Sequence, residues 1–220
     1  MHATWLIYLA IFSDTWPALA GLSSRARQGP RIWIVLFSLL LTLNTALEYS
    51  LGRQSINNHF LTYLWKPVQG AVLLWALSLW QTRPEARLTI RIMIPLFVTA
   101  WFALSAFENR NNFSTMAYPV YALLVLATLA YTLITRSGDA TEPITRQDWF
   151  WVCIGLALSF GSSGAYQPLA AAFVRTRPDL IIRAQNVRAI INLFAFAGIT
   201  YGLLCPTQPA SSGISSSPPS

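Results

Sequence analysis

Long apolar stretches follow one another along most of the chain, and short polar stretches separate them. A helix needs about 20 mostly apolar residues to cross the hydrocarbon core of a bilayer. Seven stretches reach that length, at about 3–23, 31–51, 59–80, 88–107, 116–135, 148–174 and 183–205. The pattern predicts an all-α polytopic membrane protein, a seven-transmembrane-helix bundle with short loops.

The two ends of the chain qualify this prediction. The first segment contains "ALA" at 18–20, which resembles a signal-peptide cleavage site, but Asp14 and Pro17 interrupt its apolar run and no Lys or Arg precedes it. We expect it to be retained as a helix. Residues 206–220, "PTQPASSGISSSPPS", are uncharged and rich in Ser and Pro. We therefore expect one membrane domain over 1–205 and a disordered tail.

Composition and charge agree with a membrane protein. Only 10% of the residues are charged and 54% are hydrophobic, whereas soluble domains carry roughly 25% charged residues. The net charge of +7 comes from fourteen arginines and one lysine against eight acids, and most arginines lie in predicted loops. We interpret them as topology signals and contacts to lipid headgroups. No basic stripe is interleaved with exposed aromatics, so nucleic acid is not an expected partner.

The distribution of arginines between the loops favours one orientation. The side holding the first, third and fifth loops carries eight arginines and the other side six. The bias places the N-terminus outside and the C-terminus inside the cell (inner or plasma) membrane. The basic loop "VRTRPDLIIRAQNVR" before the seventh segment opposes it.

Polar side chains form stripes on two of the apolar segments. Ionisable residues are costly inside a membrane and mostly face the bundle interior or water. The third segment has a stripe at helical spacing, made of His59, Thr62, Tyr63, Lys66 and Gln69. The seventh segment has a second stripe, made of Gln185, Arg188 and Asn192. We expect both stripes to face the interior.

Alternating topology brings these stripes to the same half of the bundle, the outer half in the favoured orientation. Glu48 lies near that end of the second segment and Glu108 closes the fourth, while Asp14 is deeper. We predict a polar pocket in this half, with Glu48 and Glu108 as candidate catalytic acids. The candidate ligand-binding residues are Asn44, His59, Tyr63, Lys66, Gln69, Gln167, Arg188 and Asn192.

Lys66, the only lysine, has three possible roles. It could pair with Glu48 or Glu108 and fix the register of the helices, because a buried unpaired charge costs several kcal/mol. Its long stem could instead lift the ammonium to the interface. The third possibility is that it belongs to a ligand-binding or catalytic pocket. We expect an inward-facing lysine that meets one of the two glutamates.

Several kinds of site are not expected. The two histidines, His2 and His59, are far apart, so no metal site is predicted, and Cys153 and Cys205 are expected to be buried and inert. The chain has no nucleophile elbow, P-loop, zincin or dinucleotide-binding motif, and no cofactor is predicted. The stretch "SFGSSGAY" at 159–166 has small residues four apart, which predicts close helix packing through Gly161 and Ala165.

Three stretches carry a resemblance to a known family. The sequences "INNHFLTYLWKPVQ", "FSTMAYPVYALLVL" and "DWFWVCIGLALSFGSSGAY" resemble those of a family of small bacterial seven-helix membrane proteins. The resemblance covers 1–205 and implies the fold but no activity. An acidic residue often stands two positions after the proline of the third helix in that pattern. Here Gln69 stands there.

The size and helix number also resemble those of integral-membrane terpene cyclases, which use acids on their second and seventh helices. Glu48 matches the first acid in rough position. The seventh segment carries no acid, and Asp179 lies before it. This resemblance implies acid–base chemistry on an isoprenoid.

Two functions follow as alternatives. The first is a protein that binds a lipid-like or isoprenoid molecule, or that serves as a subunit of a membrane complex. Its partners would be membrane lipids, a small amphipathic ligand and other membrane proteins. The second is an intramembrane enzyme in which Glu48 or Glu108, with a pKa raised by burial, protonates an isoprenoid or lipid.

Overall fold

The computed structural model describes residues 4–54, 57–108, 114–140, 142–174 and 176–206. Within these ranges the chain is all-α and contains no strand, which confirms the all-α part of the predicted fold class. The helices are α1 (Thr4–Ser13), α2 (Trp16–Ala20), α3 (Arg31–Arg53), α4 (His59–Trp80), α5 (Pro84–Ser105), α6 (Ala117–Gly138), α7 (Asp148–Phe173) and α8 (Pro178–Leu204), with a short 3-10 helix at Ile144–Arg146. Except for its first residue, the predicted tail lies outside the described residues.

Four helices are long and apolar enough to cross a membrane by length and composition: α3, α5, α6 and α8. The helices α4 and α7 have 22 and 26 residues but are not among these four candidate spans. The sequence prediction of a helical membrane protein is thus confirmed at the level of four candidate spans.

The first predicted segment is two short helices instead of one. α1 ends at Ser13 and α2 begins at Trp16. The Thr15 hydroxyl donates to the Phe12 carbonyl at 2.7 Å, so a side chain satisfies a carbonyl that a continuing helix would use. Pro17 lacks an N–H and fits the first turn of α2. The break leaves Asp14 between the two helices.

The helices pack in a ring. Each long helix packs against its neighbour in sequence, and α8 packs against α1 and α2, which closes the ring. α4 also packs against α6, so α5 lies on the outer side of these two. The most extensive interface joins α7 and α8.

Glycines allow α7 and α8 to approach closely. A Cβ on Gly155 would lie 2.5 Å from the Ala195 carbonyl oxygen, and one on Gly202 would lie 2.8 Å from the Asp148 carbonyl oxygen. Both contacts are with backbone, which cannot move aside easily. The predicted contact through Gly161 is wrong, because a Cβ there would meet nothing within 4 Å.

A buried arginine joins three helices at the end of the bundle where α3 and α7 begin and α8 ends. The Arg31 side chain is 2% exposed, and its Nε donates to Asp148 Oδ2 at 2.8 Å. Its Nη1 donates to the Leu203 and Cys205 carbonyl oxygens at 3.3 and 2.8 Å. A cation at a helix C-terminus is favourable. Sequence reasoning does not predict this anchor.

Candidate functional site

Three adjoining cavities lie at the opposite end of the bundle, where α3 ends and α4 and α8 begin; we call it the cavity end. The first cavity, about 500 Å³, lies between α1, α3 and α8. The second, about 120 Å³, reaches deeper, between α3, α4, α7 and α8. The third, about 300 Å³, lies between α4, α7 and the start of α8. Glu48 and Arg188 line all three.

Neutral donors surround the Glu48 carboxylate. Asn44, one helical turn earlier on α3, donates to Glu48 Oε1 at 2.9 Å, and the Thr62 hydroxyl of α4 lies 3.4 Å from the same oxygen. Asn58 donates to the Glu48 backbone carbonyl at 2.6 Å, which ties the loop before α4 to α3. The spacing of Asn44 and Glu48 on one helical face positions the carboxylate toward the cavities.

Lys66 meets an amide instead of a carboxylate. Its Nζ donates to Gln69 Oε1 at 2.9 Å and lies 5.7 Å from the centre of the Tyr118 ring. Gln69 in turn donates to the Leu40 carbonyl at 3.3 Å. The predicted ion pair of Lys66 with a glutamate does not form among the described residues. Lys66 does face inward, because it lines the second cavity.

Arg188 is held by an aromatic ring. Its guanidinium lies 4.9 Å from the centre of the Tyr166 ring, and the Tyr166 hydroxyl lies 3.4 Å from Gln185 Oε1 on the same helix as Arg188. In the part of the chain that the structure describes, Arg188 has no ion pair, and its buried Nε has no hydrogen-bond acceptor. Its positive charge faces the cavities, where it interacts electrostatically with the Asp14 carboxylate but forms no direct ion pair in the described part of the chain.

Asp14 is a site residue that sequence reasoning placed deeper and left out of the pocket. It lines the first and second cavities. The Thr45 hydroxyl of α3 lies 3.4 Å from Asp14 Oδ2, and the Thr42 hydroxyl donates to its carbonyl at 3.1 Å. The signal in the sequence was the interruption of an apolar run by an acid, which marks the break between α1 and α2.

Glu108 has a different role from the predicted one in a pocket. It is not among the residues that line the three cavities. Its carboxylate accepts hydrogen bonds from the backbone N–H groups of Thr115 and Met116 at 2.6 and 2.5 Å, and from the Ser114 hydroxyl at 2.9 Å. It therefore caps the start of α6.

The pKa of Glu108 follows from this cap. Partial burial alone would raise the pKa of Glu108, but the hydrogen bonds from Met116, Ser114 and Thr115 outweigh burial and hold it below its ordinary value. The sequence-based expectation of a raised pKa is wrong for this residue.

Eight of the ten predicted site residues line the cavities. Asn44, Lys66 and Asn192 line the second, His59 and Tyr63 line the third, Gln167 lines both, and Glu48 and Arg188 line all three. Gln69 is one contact away through Lys66, and Glu108 is outside. Among the described residues, no group of three His, Cys, Asp or Glu side chains is placed to hold a metal ion.

The fold and the site define a helical protein with four candidate membrane spans and three adjoining cavities lined by polar residues at one end. A scan against protein-family models and searches of curated proteins and of solved structures found no match to this chain.

Proposed function

We propose that the chain is a multi-pass protein of the cell membrane that binds a lipid-like small molecule, an isoprenoid or another amphiphile, in the cavities around Glu48 and Arg188. In this proposal all seven helical segments span the bilayer, with α1 and α2 together forming one span. At 1.5 Å per residue, α4 and α7 are about 33 and 39 Å long, which matches a hydrocarbon core of about 30 Å. Both pack beside candidate spans.

One observation carries the proposal: Glu48 and Arg188 line all three cavities, yet neither forms an ion pair within the described ranges. A charge withdrawn from water is costly unless a partner or a ligand compensates it. Charges that are positioned by neutral donors and a ring, and that face open volume, are typical of a binding site.

The walls of the second cavity favour an amphiphile over a purely polar ligand. Polar groups, among them Glu48 and Lys66, share this cavity with the apolar side chains of Phe37, Leu156 and Phe160. The second cavity has room only for a small part of such a molecule, and its apolar body would lie in the adjoining first cavity, whose walls include Ala10 and Ile11.

Native mass spectrometry tests the proposal on protein purified in mild detergent, with extraction of any retained molecule. We expect a retained amphiphile in the wild type and its loss in Glu48→Gln and Arg188→Gln. Arg183→Gln is the matched control, because Arg183 lies on α8, is exposed and is not among the cavity-lining residues. Thermal melting of each variant shows whether it folds. A wild type that retains no molecule, with variants that are merely unstable, would make the cluster a structural lock.

A second candidate function rests on Asp14. Asp14 and Glu48 line the same two cavities, so two carboxylates are available, as acid–base chemistry on an isoprenoid requires. Glu48 would donate a proton to an epoxide oxygen, and the Asp14 carboxylate would accept the proton that the resulting carbocation loses. The second acid would come from the first segment instead of the seventh.

Incubation with an epoxidised polyprenyl compound in liposomes tests this candidate. We expect a cyclised product from the wild type and none from Asp14→Asn or Glu48→Gln variants that still fold. Glu85→Gln, at an exposed position on α5, is the control. The absence of a product from the wild type would reject catalysis on this compound and leave the binding proposal untouched.

A further inference from the structure

The structure also indicates the class of ligand and the route by which it reaches the site. We infer that the ligand is an amphiphile with an anionic head, that it enters sideways from the membrane between α1 and α3, and that Arg188 binds its head. This inference rests on the proposed ligand-binding function. It adds the charge of the ligand's head and the direction from which the ligand enters.

A gap separates α1 from α3 at the cavity end. α1 packs against α8, whereas α2 packs against both α8 and α3. Beside α1, the first cavity separates it from α3, with Ala10 and Ile11 on one wall and Thr45 and Gly52 on the other. The rings of Tyr8 and Tyr49 meet edge to face across the gap, with centroids 6.4 Å apart.

The gap between α1 and α3 extends along the end of α3. The wall on α3 runs from Thr45 to Arg53, which is about 12 Å along the helix. The cavity is open rather than enclosed. The exposed rings of Tyr8 (52% exposed) on α1 and Tyr49 (44% exposed) on α3 lie at its rim. A side opening with apolar rims at this depth faces the hydrocarbon of the bilayer, so it admits lipid-soluble molecules.

The carboxylates and the cations of the site differ in how many hydrogen-bond partners the protein gives them. Neutral groups of the protein already donate to the carboxylates: Asn44 and Thr62 to Glu48, and Thr45 to Asp14. The cations are less well supplied with acceptors. Lys66 has one amide oxygen and a ring.

Arg188 has the Tyr166 ring, and its buried Nε has no acceptor among the described residues. A guanidinium forms strong, paired hydrogen bonds with carboxylate or phosphate. An anionic head would therefore give this guanidinium the acceptor that the described part of the protein does not place at its Nε.

A second cation stands at the mouth of the cleft. Arg53 lines the first cavity, and its guanidinium lies 5.9 Å from the centre of the Tyr49 ring. The two arginines lie on the two sides of the same cavity, Arg53 on α3 at the rim and Arg188 on α8. An anionic head that passes Arg53 can reach Arg188 while its apolar chain remains in the cleft between α1 and α3.

Photolabelling in liposomes tests the charge. The probe is a palmitate analogue with a diazirine on its acyl chain, and mass spectrometry maps the labelled residues. We expect labels on the cleft walls, at Ala10 and Ile11 of α1 and at Thr45 and Gly52 of α3. Arg188→Gln should reduce this labelling by about tenfold, as expected for the loss of a hydrogen bond between charged groups. Arg183→Gln should not change it. The uncharged methyl ester of the probe should label the cleft as weakly as the Arg188 variant does.

Closing the cleft tests the route. Tyr8→Cys combined with Tyr49→Cys allows a short bis-maleimide to link α1 to α3, while both native cysteines are buried. We expect linked protein to lose cleft labelling and the unlinked double variant to keep it.

Gly52→Phe provides a second test of the route that needs no linkage. A Cβ at Gly52 has one neighbour, at 3.5 Å, so there is room for the ring to enter the cleft. Gly161→Phe is its control, because that Cβ meets nothing within 4 Å.

Each outcome separates the inference from the proposed function. Cleft labelling that survives both the linkage and Gly52→Phe would overturn the sideways route. Equal labelling by the acid and its methyl ester, or by wild type and Arg188→Gln, would overturn the anionic head. If the probe labels only the outer surface while native mass spectrometry still finds a retained molecule, the ligand class is wrong and the binding function stands. If neither method finds a molecule in the cavities, the binding function itself fails.

Discussion

Arg31 Nε donates to Asp148 Oδ2 at 2.8 Å, and this ion pair joins the starts of α3 and α7 at the end of the bundle remote from the cavities. The same guanidinium binds two carbonyls at the end of α8. Three helices are thus fixed to one buried cation. The two ends of the bundle differ: at one end Arg31 has a carboxylate and two carbonyls as partners, and at the other Arg188 faces the cavities without a direct ion pair among the described residues.

Loss of this buried arginine should destabilise the protein strongly. Arg31→Met leaves Asp148 and two carbonyls without their donor, and breaking such a pair costs about 3 kcal/mol or more in free energy of unfolding. Denaturant unfolding in detergent measures the change. Arg83→Met is the control, because the Arg83–Asp139 pair is at the surface and its arginine side chain is 66% exposed. A loss in Arg31→Met no larger than in this control would contradict the role of Arg31 as an anchor of three helices.

The Glu108 cap should make stability depend on pH in the acid range. The pKa of Glu108 is lowered in the folded protein, so its contribution to the free energy of unfolding is fully present above its unfolded pKa of about 4.3. It is lost as pH falls from there through the lower folded pKa. Glu108→Gln should flatten this part of the pH–stability curve. An unchanged curve in the variant would show that the cap contributes nothing.

Two glycines of α7 should respond oppositely to the same substitution. In Gly155→Ala the new methyl group would lie 2.5 Å from the Ala195 carbonyl oxygen of α8, and such overpacking costs about 1–3 kcal/mol. In Gly161→Ala the methyl group has free space, and alanine favours the helix by about 0.5–1 kcal/mol. Melting temperatures of the two variants measure the difference. A harmless Gly155→Ala would mean that α7 and α8 are not this close.

Gln69 links Lys66 to α3, and its two amide atoms have separate roles. Its oxygen accepts from Lys66 Nζ and its nitrogen donates to the Leu40 carbonyl. Gln69→Leu removes both bonds and leaves buried polar groups without partners, which costs about 1–3 kcal/mol.

Gln69→Glu should cost less, because the carboxylate can pair with Lys66. Thermal melting decides the order of the three proteins. A leucine variant as stable as the wild type would show that this network is dispensable.

Some features of the candidate site could be predicted from the sequence and others could not. The stripe from His59 to Lys66 follows from helical periodicity alone, so its inward position could be predicted. The hydrogen-bond partner of Lys66 could not be predicted. Gln69 is three residues away on the same helix, and no sequence pattern favours it as a partner over a glutamate on another helix. Glu108 shows the same limit: its place near a helix end was readable, but its use as a cap for α6 depends on how the loop folds back.

The sequence by itself determined the all-α class, the length and order of the long helices, and the half of the bundle where polar side chains meet. These follow from local rules, namely apolar length and a period of 3.6 residues. Only the tertiary structure decided which atoms meet: the break that brings Asp14 to the cavities, the anchoring of three helices on Arg31, and the position of the Arg188 guanidinium over the Tyr166 ring. These depend on the rotation and separation of helices far apart in the chain, which packing sets and local periodicity does not encode.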